Sequence, residues 1–318
     1  MKQLKCLFAA VAVSLAALSG NAQSKVYMTR EISPEALVKI YKALGRPAEG
    51  HRVAVKISTG EAGNPNYLKP TLIKKLVDAV DGTIVECNTA YGGKRNTFDA
   101  HWQTVHEHGF DSIATVDLLD EEGQINIPVR DQRHLKYDIV GSHLPRYDYM
   151  VNLAHFKGHP MGGYGGALKN ASIGVASADG KAYIHTGGKI DTVEGIWQNI
   201  AEQDVFLESM AAAAQGVADF FGDNIVYINV MNNMSVDCDC VAHPEGVKIA
   251  DYGILASTDP VALDKACCDI IFNMAASEGN DNAPLKERIS SRHGLHTIEH
   301  AEAIGLGSTN YEIVNLDK

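Results

Sequence analysis

Twenty residues, His155 to Gly174, read HFKGHPMGGYGGALKNASIG and combine six glycines with two histidines, two lysines and one tyrosine. Glycine tolerates backbone conformations that a Cβ forbids, so this density predicts close approach of the main chain to something. Neither phosphate-binding fingerprint is present, because the spacing matches neither G-x-x-x-x-G-K-[ST] nor G-x-G-x-x-G. His155, Lys157, His159 and Lys169 are the groups here that can do chemistry. His155 and His159 have the i, i+4 spacing of a helical metal pair, but Gly158 and Pro160 argue against a helix. His159 instead reads as a proton-transfer group, its ordinary pKa lying near neutrality. Lys169 can meet a phosphate, a carboxylate or a carbonyl carbon. Gly162, Gly163, Tyr164, Gly165 and Gly166 are expected to shape a surface on which a flat cofactor or substrate lies.

SVDCDCVAHPEG is the second constellation. Cys238 and Cys240 share a side if the segment is extended, and two thiolates there can reach one soft metal or an iron-sulfur cluster. Two cysteines are half a site, and Cys87, His243, His155 or His159 must complete it; His155 is taken as the third ligand. Asp237 and Asp239 are expected to raise the thiol pKa values. A Cys-x-Cys disulfide would be strained, so both thiols are expected to be free or metal-bound. In VECNTAYGGKRNT, Asn88 and Arg95 are the candidate cofactor- or substrate-binding residues, Arg95 for its bidentate fit to a carboxylate. Cys267 and Cys268 adjoin within a helical pattern and read as small buried side chains.

The elements that must position these groups alternate. A helix opens at Ser33 and Pro34 and closes at Gly45, followed by a strand over 51–59, a helix over 69–81, a strand over 82–88, a helix over 97–109 and a strand over 111–119. After a mixed segment, 120–145, a strand over 147–156 runs straight into the glycine-rich stretch. The pattern continues as a long helix from about 192 to 220, a strand over 224–234, a short strand over 252–257, a helix opened by Asp259-Pro260, and a last helix and strand. This order predicts an α/β fold, a mainly parallel sheet flanked by helices, with a smaller C-terminal portion closing a cleft. The glycine-rich stretch then lies at the carboxyl end of a strand, where such sheets bind ligands.

The 318 residues carry a formal charge of −11, 45% hydrophobic side chains and no basic stripe, which excludes nucleic acid as a partner and disfavours anionic membranes. Lys2 and Lys5, a short apolar run and small residues at Gly20 and Ala22 read as a signal peptide over 1–22, leaving one domain over 23–318 that is periplasmic or secreted and free of the membrane after cleavage.

Four stretches, NTAYGGKRNT, HFKGHPMGGYGGALKNASIG, DCDC and GILASTDPVALDKA, resemble the bacterial family called domain of unknown function 362, whose members are often labelled iron-sulfur centre proteins. The resemblance covers nearly all of the mature chain. The closely spaced cysteines of the ferredoxin-type domain that many members append do not occur in these 318 residues. A shorter similarity, to the nickel-pincer lactate racemase family, rests on Gly163-Tyr164-Gly165-Gly166-Ala167-Leu168-Lys169 with His159 ten residues before the lysine; the lysine stands one residue later than in that family's G-[FY]-x-G-G-x-K. This similarity implies a lysine that holds a cofactor and a histidine that moves a substrate proton. Together these readings imply a metal or iron-sulfur-centre protein, a redox or proton-transfer enzyme on a small oxygenated substrate. The alternatives are a cofactor-dependent racemase or epimerase and a non-catalytic binding protein.

Overall fold

A computed structural model describes residues 23–277 and 279–317; the expected signal peptide lies outside them. In chain order the elements are β1 (Ser24–Thr29), α1 (Pro34–Ala43), β2 (Val53–Lys56), α2 (Pro70–Ala79), β3 (Gly82–Glu86), α3 (Phe98–His108) and β4 (Val116–Leu118). Then come β5 (Gln124–Pro128), β6 (Tyr137–Gly141), β7 (Tyr149–His155), β8 (Lys157–His159), β9 (Gly163–Gly165), α4 (Ala167–Ala171), α5 (Ala178–His185) and α6 (Gln203–Phe221). The chain ends with β10 (Ile225–Met231), β11 (Gly253–Ser257), α7 (Pro260–Asn273), α8 (Ala283–Ser291), α9 (His296–Ala303) and β12 (Tyr311–Asn315).

Eight strands form one sheet in the order β12-β1-β11-β10-β7-β2-β3-β4. Strands β10, β7, β2, β3 and β4 run parallel, and β11 pairs antiparallel with both β10 and β1. Successive side chains of a strand face opposite sides, and the core divides accordingly. Val53, Val55, Ile84 and Val151 pack with Leu37 and Ile40 of α1, Ile73 and Leu76 of α2 and Val105 of α3. Ala54, Val85 and Met150 pack with Leu168 of α4, Ala211 and Ala214 of α6 and Val261 of α7. The fold is the α/β arrangement expected. Cys238 and Cys240 lie in the β10–β11 connection, a 21-residue excursion numbered 232–252 that leaves the carboxyl end of β10.

The long helix expected from about 192 starts only at Gln203. Gly195 adopts φ +79, which ends any helical run there, and Ile196–Gln198 forms a single tight 3-10 turn. Two helices that the sequence pattern does not signal, α4 and α5, follow the glycines directly. The mixed segment contains β5 and β6, paired as a separate two-stranded ribbon. Among the described residues no helix is long and apolar enough to cross a membrane.

Candidate active site

Three parallel strands deliver polar groups at their carboxyl ends: Lys56 closes β2, Glu86 closes β3 and His155 closes β7. Beyond them the chain turns into the short β8–β9 hairpin, in which Lys157, Gly158 and His159 pair with Gly165, Tyr164 and Gly163. The glycines let this hairpin press against the cysteine segment. The Gly158 N–H donates to the Ser235 carbonyl at 2.8 Å. A Cβ at Gly158 would overlap the Val236 carbonyl, and one at Gly166 would overlap the Asp264 carboxylate.

The next five residues form α4, whose N-terminal amides are held from outside. Ala167 and Leu168 donate to the two carboxylate oxygens of buried Asp264 at 2.8 and 2.9 Å, and Asn152 on β7 donates to the Ala167 carbonyl at 3.1 Å. Asn170 bridges to Asn152 at 2.7 Å and to the Lys56 carbonyl at 3.0 Å. Clamped in this way, α4 aims Lys169 at Cys238, with Nζ 4.0 Å from Sγ.

A small cleft of about 50 Å³ results, lined by Lys56, Glu86, Arg95, Lys169, Lys181 and Cys238 among others. Cys238 and Cys240 are free thiols, and one ligand atom from each and from His159 lie within 4.8 Å of one another. The pair titrates together. The Cys240 thiol stands against Cys238, and Lys169 and His159 face it, so the Cys238 thiol is held well below its usual range and Cys240 is pushed above. The Tyr91 hydroxyl faces Cys240 in the same cleft.

The charge of Asp239 is spent mainly on cations and does not raise the Cys238 thiol as expected. The Asp239 side chain is fully buried and turned away, 2.8 Å from His155 Nδ1 and 3.0 Å from Lys157 Nζ, and these cations hold it at about 2 against burial. His155, expected as the third metal ligand, stands outside the sulfur group for the same reason. Its Nδ1 meets the Asp239 carboxylate and its Nε2 meets the Asn232 carbonyl at 2.6 Å. Both ring nitrogens are thus taken up by acceptors and neither is turned to the sulfurs.

His159 is placed differently. Its Nδ1 accepts from the Gly162 amide at 2.8 Å and from the Met161 amide at 3.2 Å, which puts the proton on Nε2, the nitrogen left to face Cys238. Burial, with Lys169 second, lowers its pKa to about 4, so the ring is neutral near neutral pH.

Of the other residues singled out from sequence, Gly165, Gly166 and Arg95 line the cleft. Arg95 is buried and held by Glu61 at 3.4 Å and Glu86 at 3.5 Å, so its charge is already compensated. Asn88 Oδ1 accepts from His101 Nδ1 at 2.9 Å, and Asn88 does not line the cleft. Tyr164 is buried behind the hairpin, its hydroxyl 3.2 Å from Asp264 and its ring stacked on Phe156. Gly162 and Gly163 form the turn that supports His159. Cys267 and Cys268 are buried on α7.

Lys56, Lys181 and Asp264 join the site without having stood out in the sequence. Lys56 ends an otherwise apolar strand and is fully buried against Glu86 at 2.8 Å, an anomaly visible in VAVK once the strand is drawn. Lys181 is only 4% exposed, its Nζ donates to the Ala176 carbonyl at 2.6 Å, and no carboxylate lies within 4.0 Å of it among the described residues. Nothing in its local sequence signals this.

A family model described as Domain of unknown function (DUF362) matches residues 53–269. No curated protein matches the chain. Among solved structures it is similar to the lactate racemase apoprotein from Thermoanaerobacterium thermosaccharolyticum at 14% identity and a TM-score of 0.45, over 79% of this chain and 58% of that one. It is also similar to a protein from Thermotoga maritima at 13% identity and a TM-score of 0.37, over 62% of this chain and 49% of that one. The chain therefore spans less than two thirds of either structure.

Proposed function

The chain belongs to the family described as domain of unknown function (DUF362), a description that names no reaction, and from the cleft itself we propose a metal-dependent enzyme in which Cys238 and Cys240 hold one soft ion and Lys169 and Lys181 hold a small oxyanion beside it. The observation that carries this reading is the adjacent thiol pair, one member already biased toward the thiolate, in a cleft with two lysines that have no carboxylate partner among the described residues.

The donor set decides which group fits. Thiolates select soft or borderline ions such as zinc, nickel, copper or iron. An iron-sulfur cluster takes four cysteines, and among the described residues no third cysteine joins this pair within ligand range; Cys87 lines the cleft but donates to the Val175 carbonyl at 3.3 Å. The pair therefore fits a single ion better than a four-cysteine cluster. His159, as its ring stands, presents an N–H to sulfur instead of a lone pair to a metal, so it serves as hydrogen-bond donor to the sulfur and not as third ligand. A bound ion would supply Lewis acidity at a substrate oxygen. Lys169 and Lys181 would neutralise and orient a small carboxylate. The ion pairs of Lys56, Arg95 and Glu86 fix the floor on which it rests. In the same reading the enzyme is an exported one, on the strength of the leader-like order of residues 1–22.

A second reading draws on the bias of Cys238 toward the thiolate: without metal, that sulfur is a nucleophile or base with Cys240 and His159 as its proton donors. Elemental analysis of anaerobically purified protein separates the two. The metal reading expects about one soft ion per chain, lost in the Cys238→Ser, Cys240→Ser double variant; a metal-free wild-type protein that also refuses added zinc and nickel overturns it in favour of the thiolate.

A further inference from the structure

A second group of ligands lies on the far side of the hairpin from the thiols. On α6, Asp204 and Glu208 stand four residues apart on one face; on α9, His296 and His300 do the same, and the two helices pack together. His293, in the turn before α9, completes the set. One ligand atom each of Asp204, His293 and His296 lie within 4.8 Å of one another.

Behind these three sits a fixed layer. Glu208 takes His134 Nε2 at 2.7 Å and His296 Nε2 at 3.1 Å, and His300 Nε2 meets Asp131 at 2.7 Å. His293 Nδ1 meets Asp204 at 2.6 Å, and the His293 and His296 rings stack with centroids 4.9 Å apart. In a neutral imidazole one nitrogen donates and the other keeps its lone pair. His296 turns Nε2 to Glu208, and its Nδ1, 3.6 Å from the exposed Glu299 carboxylate and beyond hydrogen-bond reach, faces no hydrogen-bond donor among the described residues; His293 turns Nδ1 to Asp204 itself. A carboxylate bonded to one nitrogen of a histidine, so that the other is aimed at a metal, is the arrangement that orients metal-binding imidazoles, and Glu208 stands so toward His296. A surface ion pair alone contributes little, since Asp204 and His293 are both more than half exposed.

We propose that Asp204, His293 and His296 bind a divalent first-row ion of the zinc, cobalt and nickel class, for which imidazole and carboxylate are the fitting donors. This site is independent of the thiols and does not rest on the function proposed for them. Its place gives it a structural role. Gln203, next to Asp204, donates both to the Met161 carbonyl at 2.8 Å and to the Arg292 carbonyl at 2.7 Å, and Gly294 packs against Gly163 so closely that a Cβ on Gly163 would meet it at 2.9 Å. An ion joining residue 293 and α9 to α6 braces the turn that carries His159.

The test uses the full chain bearing Cys238→Ser and Cys240→Ser, so that no thiol pair competes, stripped with chelator and titrated with Co2+. One equivalent is expected, with the visible bands of a nitrogen and oxygen site, without sulfur-to-cobalt charge transfer, and with a rise in Tm. In the same background His293→Ala, His296→Ala is expected to weaken binding by at least about tenfold, the loss of two donors being worth more than about 1.4 kcal/mol. His293→Ala and Asp204→Asn alone, at exposed positions, report the same loss without threatening the fold. No bound Co2+ in the thiol-free chain, or undiminished binding in the histidine variants, overturns the proposal whatever the thiols do in the wild-type protein.

Discussion

At the scale of single residues, the site turns on which charges are already spent. Asp239, Glu61 and Glu86 are paired with Lys157, Arg95 and Lys56, and this leaves Lys169 and Lys181, without a carboxylate partner among the described residues, for an incoming anion. Lys181 is the more telling of the two because a buried ammonium with one carbonyl partner is costly unless another acceptor arrives. Oxalate is a convenient probe. Lys181→Met is expected to weaken its binding by roughly 10- to 100-fold, the scale of one charge-assisted hydrogen bond at about 1.5–3 kcal/mol; calorimetric titration reads it, and equal affinity in the two proteins removes Lys181 from the site. Residue types make part of this legible. Cysteines two apart, and a histidine and lysine among glycines, are conspicuous anywhere. Lys181 and Asp264 are not, because a lysine on an amphipathic helix reads as solvated and an aspartate in DPVALDKA reads as part of a helix start, and only tertiary packing buries them. His155 misleads for a related reason: sequence shows a histidine near cysteines but not the carboxylate and carbonyl that occupy its nitrogens.

At the scale of elements, the work of the glycine-rich stretch is approach. The β8–β9 hairpin lies against 235–238 because Gly158 has no side chain to collide with Val236, and α4 seats on Asp264 because Gly166 has none either. Gly158→Ala forces the two segments apart. The expected result is a destabilisation of about 1–3 kcal/mol, the range for overpacking, together with a Cys238 thiol that titrates closer to the ordinary cysteine value as His159 and Lys169 retreat from it. Denaturant unfolding and the pH dependence of the thiolate absorbance check the two halves; a variant unchanged in both shows that the close approach is incidental. The strand preceding this hairpin is plain in the sequence, since YDYMVNLAHF has the apolar run of a buried strand. The hairpin and α4 are not, because three-residue strands and a five-residue helix are set by tertiary contacts and leave no periodicity to read.

At the scale of the whole molecule, the alternation of strands and helices reveals the parallel sheet, and the carboxyl ends of its strands give the location of the cleft. What composition conceals is how much ionisable chemistry the interior holds. Asp138 on β6 is fully buried, neither carboxylate oxygen has a hydrogen-bond partner, and burial raises its pKa to about 7. Because the folded value lies above the unfolded one, the stability tied to its protonation is complete below about pH 4 and is lost as the pH climbs through 7. Asp138→Asn abolishes that loss. Its Tm is expected to match the wild-type value near pH 4 and to exceed it at pH 8, since each tenfold change in a protonation equilibrium is worth about 1.4 kcal/mol. Parallel curves across that range would mean that Asp138 is ionised in the folded protein.

The thiol pair remains the centre of the proposed function, and the sulfur-to-metal charge-transfer absorbance of anaerobic, chelator-treated full-length protein titrated with Cd2+ tests it most directly. Cadmium is a soft ion with no visible bands of its own, so this absorbance reports sulfur ligation alone. If Cys238 and Cys240 form the metal centre, the band grows to saturation at one Cd2+ per chain, survives His155→Gln, and disappears in the Cys238→Ser, Cys240→Ser variant. A wild-type titration that yields no band, or a band that persists after both cysteines are replaced, contradicts it.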